Sequence, residues 1–293
     1  MDILTRNELP IKQVKLFLLY TFSITWFCWL TIILANKYFE SLYYGEPLFW
    51  IPYTIGSLGP AIAAYLIYRQ FKENFAEKSF TKYIYNKKIS GKVWLIFGLF
   101  IVWRLFMIWI SFGINKPISV LSILVNLPFL IVLGGLEELG WRGILQPKLE
   151  KVITYLPSVL VVGIVWGIWH LPLWLINGTV QSVFPFWLYL ISGIILTSSF
   201  TTLYKYTNNL FLSVITHAWF NACIGLALYA GNDGVLQLNI NWKVFVVFSI
   251  ELIVSVGLGM AHNRKKSGKT NVSDNSINVN SNTEYKNANT DEN

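Results

Sequence analysis

The stretch GGLEELGWRGIL, residues 134–145, sets Glu137 beside Glu138 and puts Arg142 four residues after the second. On a helix, residues four apart share a face, so Glu138 and Arg142 are neighbours in the favourable acid-before-base order. Glu137 falls about 100° away, over Trp141. One carboxylate is paired and one is left over, and a spare carboxylate in a dry pocket can serve as a general base or acid. A purely structural charge cluster at the end of a helix would read the same way. Downstream, VWGIWHLPLW places His170 four residues after Trp166, with Pro172 loosening the helix just beyond. SVITHAWFNACIG places His217 and Asn221 on one face, where they can donate two hydrogen bonds to one oxygen. Singly, the histidine reads as a packing residue and the His/Asn pair as a polar bridge between helices. Taken together, a carboxylate, two histidines and an amide are the equipment of hydrolysis.

The elements that must position these groups are apolar. Of 293 residues, 54% are hydrophobic and only 13% charged, about half the charged share of an ordinary soluble domain. A membrane-spanning helix needs about 20 mostly apolar residues. Eight such stretches are visible, at 16–35, 48–68, 94–114, 118–146, 156–176, 184–204, 209–230 and 244–262. The fold expected is all-α, a polytopic transmembrane helix bundle. With the N-terminus inside, 19 of the 23 Lys and Arg fall on the inner side, chiefly in 1–15, 69–93 and the tail. Only Lys37, Lys116 and Lys243 fall outside, which argues for an N-in, C-in topology. The net charge of +8 is then membrane anchoring, and nucleic acid is not an expected partner.

Charges inside a span are costly and face the bundle interior or a water-filled cavity. Counted as a simple window, Glu137 would lie at the inner end of the fourth span, while His170 lies roughly 20 Å deep in the fifth at 1.5 Å per residue. They can meet only if the fourth helix runs on to about Pro147, with its charges within the bundle. The cavity is then expected to open to the cytoplasm. Small residues in GPAIAA, 59–64, suit a helix–helix contact. The basic 69–93 loop, with interleaved Phe and Tyr, reads either as an amphipathic piece on the inner surface or as a plain connection. Cys28 and Cys223 lie in spans and read as packing residues. Residues 1–262 form the membrane domain. Residues 263–293, rich in Asn, Ser, Thr and Lys, read as a disordered cytoplasmic tail. No HExxH, no CxxC and no Gly-rich phosphate loop occurs.

EELGWR resembles the EExxxR motif of the CAAX protease and bacteriocin-processing family of intramembrane proteases, also called Abi. WGIWHLP resembles its FxxxH motif with Trp166 in place of Phe, and HAWFN its HxxxN motif, in the family's order over about 125–225. The resemblance implies an endopeptidase acting on a membrane-associated protein or peptide. Glu137 and His170 would activate a water, and His217 and Asn221 would hold the oxyanion. Glu138, Arg142 and Trp166 would support them. The family is often labelled metalloprotease, and zinc on Glu137, His170 and His217 is the alternative to a glutamate-activated water without tightly bound metal. A membrane-bound bacteriocin-immunity or accessory protein acting by binding is the second reading, and a transporter or proton channel the third. The compact chain and polar tail suggest a bacterial cell membrane and a peptide precursor as substrate.

Overall fold

A computed structural model describes residues 8–85, 89–114, 120–230 and 236–288 of the chain, with side chains to 265. The first two positions of the expected fourth span, and most side chains of the expected tail, lie outside the described residues.

The chain is an all-helical bundle. Its helices are α1 (Glu8–Phe39), α2 (Trp50–Ser57), α3 (Gly59–Gln70), α4 (Phe80–Tyr85), α5 (Gly91–Phe112), α6 (Val120–Leu133), α7 (Glu138–Gly140), α8 (Gln146–Leu149), α9 (Tyr155–Trp169), α10 (Phe186–Thr207), α11 (Leu210–Ala227) and α12 (Trp242–Ala288). Between α11 and α12 a two-residue antiparallel ladder pairs Tyr229–Ala230 with Leu236–Gln237. Among the described residues seven helical stretches are long and apolar enough to cross a membrane. Helices Pro47–Ser57 and Gly59–Gln70, bent by 43° at their junction, supply an eighth if taken as one crossing. The sequence pattern gave 48–68 as one span; Gly59 and Pro60 at the start of α3 are where it breaks. GPAIAA does form a contact. Gly59, Pro60, Ala63 and Ala64 are all buried, and a Cβ at Gly59 would lie 2.0 Å from Thr25 Oγ1 of α1.

The fourth crossing, Ile123–Leu149, reaches as far as expected, but not as one helix. It runs as α6, a 3-10 turn at Gly135–Glu137, α7, a π turn at Trp141–Leu145 and α8. Irregular backbone at membrane depth is tolerated where protein covers it and its polar groups find partners. The Gly143 carbonyl accepts from the Tyr83 hydroxyl of α4. That contact seats the short helix of the basic loop on the π turn. Glu137, Glu138 and Arg142 are all buried.

A second buried ion pair lies in the spans. Arg104 of α5 meets Glu251 of α12 and donates to Ser199 Oγ of α10. Its guanidinium stands over the rings of Phe100, Phe200 and Phe220, 4.6, 5.3 and 5.8 Å away. Each of these two residues is an isolated charge in its own span, so sequence alone gave neither a partner.

Candidate active site

Local chain geometry brings the three motifs together. Gly134 and Gly135 end α6, and they let α11 lie against the turn that follows. A Cβ on Gly134 would come within 2.2 Å of Asn221 Nδ2, and one on Gly135 within 2.6 Å of the Val214 carbonyl. The two glycines are therefore a close approach between the first motif and the third. Gly140 does the same toward the N-terminal half of the bundle, where a Cβ would stand 2.7 Å from the Pro60 carbonyl. Helix α9 stops at Trp169. Pro172 has no N–H to offer the next turn, and Leu171–Leu175 continues as a 3-10 helix. The freed Trp169 carbonyl accepts from Trp26 Nε1 at 3.1 Å. His170 is thereby set at a fixed break in the chain.

The carboxylates separate as their spacing required. Glu138 Oε1 accepts from Arg142 Nη1 at 3.1 Å, and the guanidinium also reaches the Thr197 carbonyl at 3.4 Å. Glu138 Oε1 further receives His217 Nδ1 at 2.8 Å, a link the sequence did not reveal. Glu137 takes no ion pair. Its Oε2 accepts two indole protons, from Trp141 Nε1 at 3.1 Å and from Trp166 Nε1 at 2.9 Å. The spacing placed Trp141 under Glu137 but did not give it the role of donor.

Trp166 serves two partners. While its indole holds Glu137, its carbonyl lies 2.8 Å from His170 Nδ1. A carbonyl can only accept, so Nδ1 carries a proton, and in the neutral imidazole Nε2 keeps a lone pair. The His170 ring is packed edge-on against Trp169 at 4.4 Å, Trp166 at 4.7 Å and Tyr189 at 5.2 Å between centroids. Such a cage limits the ring to one orientation.

Glu137, Trp166, His170, His217 and Asn221 line one cavity of about 620 Å³. The remaining walls are largely apolar and aromatic, including Trp50, Tyr53, Phe129, Phe184 and Tyr189. The zinc alternative fits these residues poorly. Among the described residues no three His, Cys, Asp or Glu side chains are grouped to hold a metal ion.

Residues 117–223 match the family described as type II CAAX prenyl endopeptidase, Rce1-like. The CAAX prenyl protease 2 of Methanococcus maripaludis is 27% identical over 168 residues, which are 53% of this chain and 60% of that protein. Over this segment the chain is similar to the CAAX prenyl endopeptidases. The matched segment runs from before the first motif to just past Asn221, so it contains Glu137, Trp166, His170, His217 and Asn221. The chain matches less than two thirds of that relative's length.

The cavity reaches one end of the bundle. The cavity extends to Tyr44, Thr179, Gln181, Leu228 and Leu238, which lie in the connections at the end of the bundle opposite the basic loop. Window counting located Glu137 in depth along one helix. It carried no information on which end of the bundle the packed side chains leave open.

Proposed function

We propose that the chain is an intramembrane endopeptidase that hydrolyses a peptide bond of a membrane-associated protein or peptide. The observation that carries this reading is the convergence of Glu137, His170, His217 and Asn221 on one cavity, two of them tied by Trp166. With Oε2 held by two indoles, Glu137 Oε1 is the oxygen left to take a proton from water. His170 Nε2, bearing a lone pair, orients that water from the other side. The hydroxide formed adds to the scissile carbonyl, and the new oxyanion is held by Asn221 Nδ2 and His217 Nε2. In that role His217 is an imidazolium, its Nδ1–H remaining on Glu138. Glu137 then returns the proton to the departing amine. Atoms and charge balance without a further reactant, as one water is consumed across one amide.

Glu138 and Arg142 are positioning residues in this scheme. They neutralise each other and carry His217. Residues 1–262 act as one membrane domain, oriented N-in and C-in by its basic segments. The deciding experiment compares the peptides and membrane proteins of cells carrying wild-type protein with those of cells carrying Glu137→Ala. Products that vanish with the variant, while folded protein persists, identify the substrate. An unchanged profile sinks the base role of Glu137, and full biological activity of a Glu137/His170 double variant points to a protein that acts by binding.

A further inference from the structure

We infer that the cavity opens on the extracytoplasmic face of the membrane, and that it admits an uncharged, apolar peptide stretch arriving from that side. The substrate half of this inference rests on the proteolytic reading; the orientation half does not.

The bundle has two distinguishable ends. At one, Tyr44 lies against Gly178, where an added Cβ would be 2.8 Å from Tyr44 Cβ, and Asn241 Nδ2 donates to the Ser111 carbonyl at 3.0 Å. At the other, the rings of Tyr85 and Phe211 stand 5.0 Å apart, and Lys205 Nζ donates to Asn263 Oδ1 at 3.1 Å. The cavity runs from Glu137 toward the first end only. Among the described residues no wall comes from 138–165 or 197–216, the segments that lead to the second. Dry packing closes that side. Beneath Glu137, Trp141 is fully buried, edge-on to Phe17 at 5.6 Å and to Trp169 at 5.7 Å, with Ile144 and Leu145 buried behind it. A hydrolase must receive water, and here water reaches Glu137 from the first end.

Charge decides which end that is. Counted along the sequence, 19 of the 23 Lys and Arg fall in segments that lead to the second end, against Lys37, Lys116 and Lys243 in those that lead to the first. Basic residues are drawn to an anionic inner surface, and short basic loops stay cytoplasmic. The imbalance is far larger than either effect needs. The second end is cytoplasmic, and the open one faces out.

The lining sets the class of peptide. Among the described residues, and apart from three tyrosines, its ionisable groups are Glu137, His170 and His217, with no Lys, Arg or Asp. A charged side chain next to the scissile bond would enter this cavity with no partner and lose its hydration. An extended apolar segment would meet aromatic walls instead.

The test uses the full chain in cells, with Cys28 and Cys223 replaced by alanine and single cysteines introduced. Asn177→Cys, exposed at the open end, should react with a membrane-impermeant maleimide in intact cells. Lys82→Cys, exposed at the basic end, should react only after permeabilisation. Ser192→Cys, on the cavity wall, should react in intact cells with a small cationic methanethiosulfonate. Labelling of Lys82→Cys in intact cells overturns the orientation. Reaction of Ser192→Cys only in inside-out vesicles, or in neither preparation, overturns the outward opening. For the substrate half, quenched fluorescent peptides are added outside cells. Those with uncharged residues flanking the bond should be cut at least tenfold faster than those carrying Lys or Asp there, and only by cells with Glu137 intact. Equal cleavage of both overturns the substrate half. No cleavage at all, with the labelling as expected, counts against proteolysis and leaves the orientation standing.

Discussion

His217 on α11 reaches across 79 residues of chain to place its Nδ1 2.8 Å from Glu138 Oε1. The same oxygen takes Arg142 at 3.1 Å. One buried carboxylate therefore joins the first motif to the third, and the pairing with Arg142 that spacing announced is only half of its work. Replacing Glu138 by Gln leaves the Arg142 charge buried without its counter-ion, a loss of roughly 3–5 kcal/mol for pairs of this kind. Thermal unfolding in detergent should show a clear fall in Tm for Glu138→Gln. A variant that unfolds like wild type would show that Glu138 does not hold the cluster.

Glu137→Gln is the cleaner probe of chemistry. It keeps the shape of the side chain and an oxygen for the two indole donors, but cannot take a proton. Turnover of a cleaved peptide should drop by roughly 10²–10⁴, with Tm close to that of wild type.

Trp166→Phe separates the two services of one residue. The ring and the carbonyl on His170 remain, and the indole N–H to Glu137 is lost. A hydrogen bond to a charged group contributes about 1.5–3 kcal/mol, and Trp141 still holds the same oxygen. The expected result is a fall in kcat of about tenfold with KM little changed. A larger fall is expected when Trp141→Phe is added. A change confined to KM would mean that Trp166 only shapes the cavity.

In the proposed reaction, Asn221→Ala removes a donor to the transition state rather than to bound substrate. We expect kcat to fall by roughly 10²–10³ without a matching rise in KM. Single-turnover measurement would separate the two.

Away from the cavity, Arg104→Leu strands the Glu251 carboxylate in the bundle, and Glu251→Leu strands the guanidinium. Each single variant should lose roughly 3–5 kcal/mol. The double variant should recover much of that, because two apolar side chains leave no unpaired charge. Unfolding of the four proteins in a double-mutant cycle measures the coupling directly.

Much of the fold was legible because lipid imposes a simple rule. A helix must be apolar along its whole crossing, and that is a property of composition. The break in the second crossing and the 3-10 and π turns in the fourth were not legible, since they depend on what packs alongside: Thr25 at Gly59, Val214 at Gly135, Tyr83 at Gly143. In the cluster, the i,i+4 pair of Glu138 and Arg142 followed from spacing, as did the leftover Glu137. The bond from Glu138 to His217 did not, and neither did the two indoles on one oxygen. Contacts between distant segments leave no trace in local periodicity. The glycine pair at 134–135 was a usable signal, because two adjacent residues without side chains at the end of an apolar helix mark a place where another backbone comes close.

Trp166 has a bearing on how the two halves of the cluster keep their spacing. Its indole and its own carbonyl belong to one residue, so the groups they fasten, Glu137 and His170, are both referred to one point on α9. If α9 drifts or tilts as lipid and peptide press on it, acid and imidazole are carried along together. In the proposed reaction, a spacing held this way depends on one residue more than on how the helices pack around it.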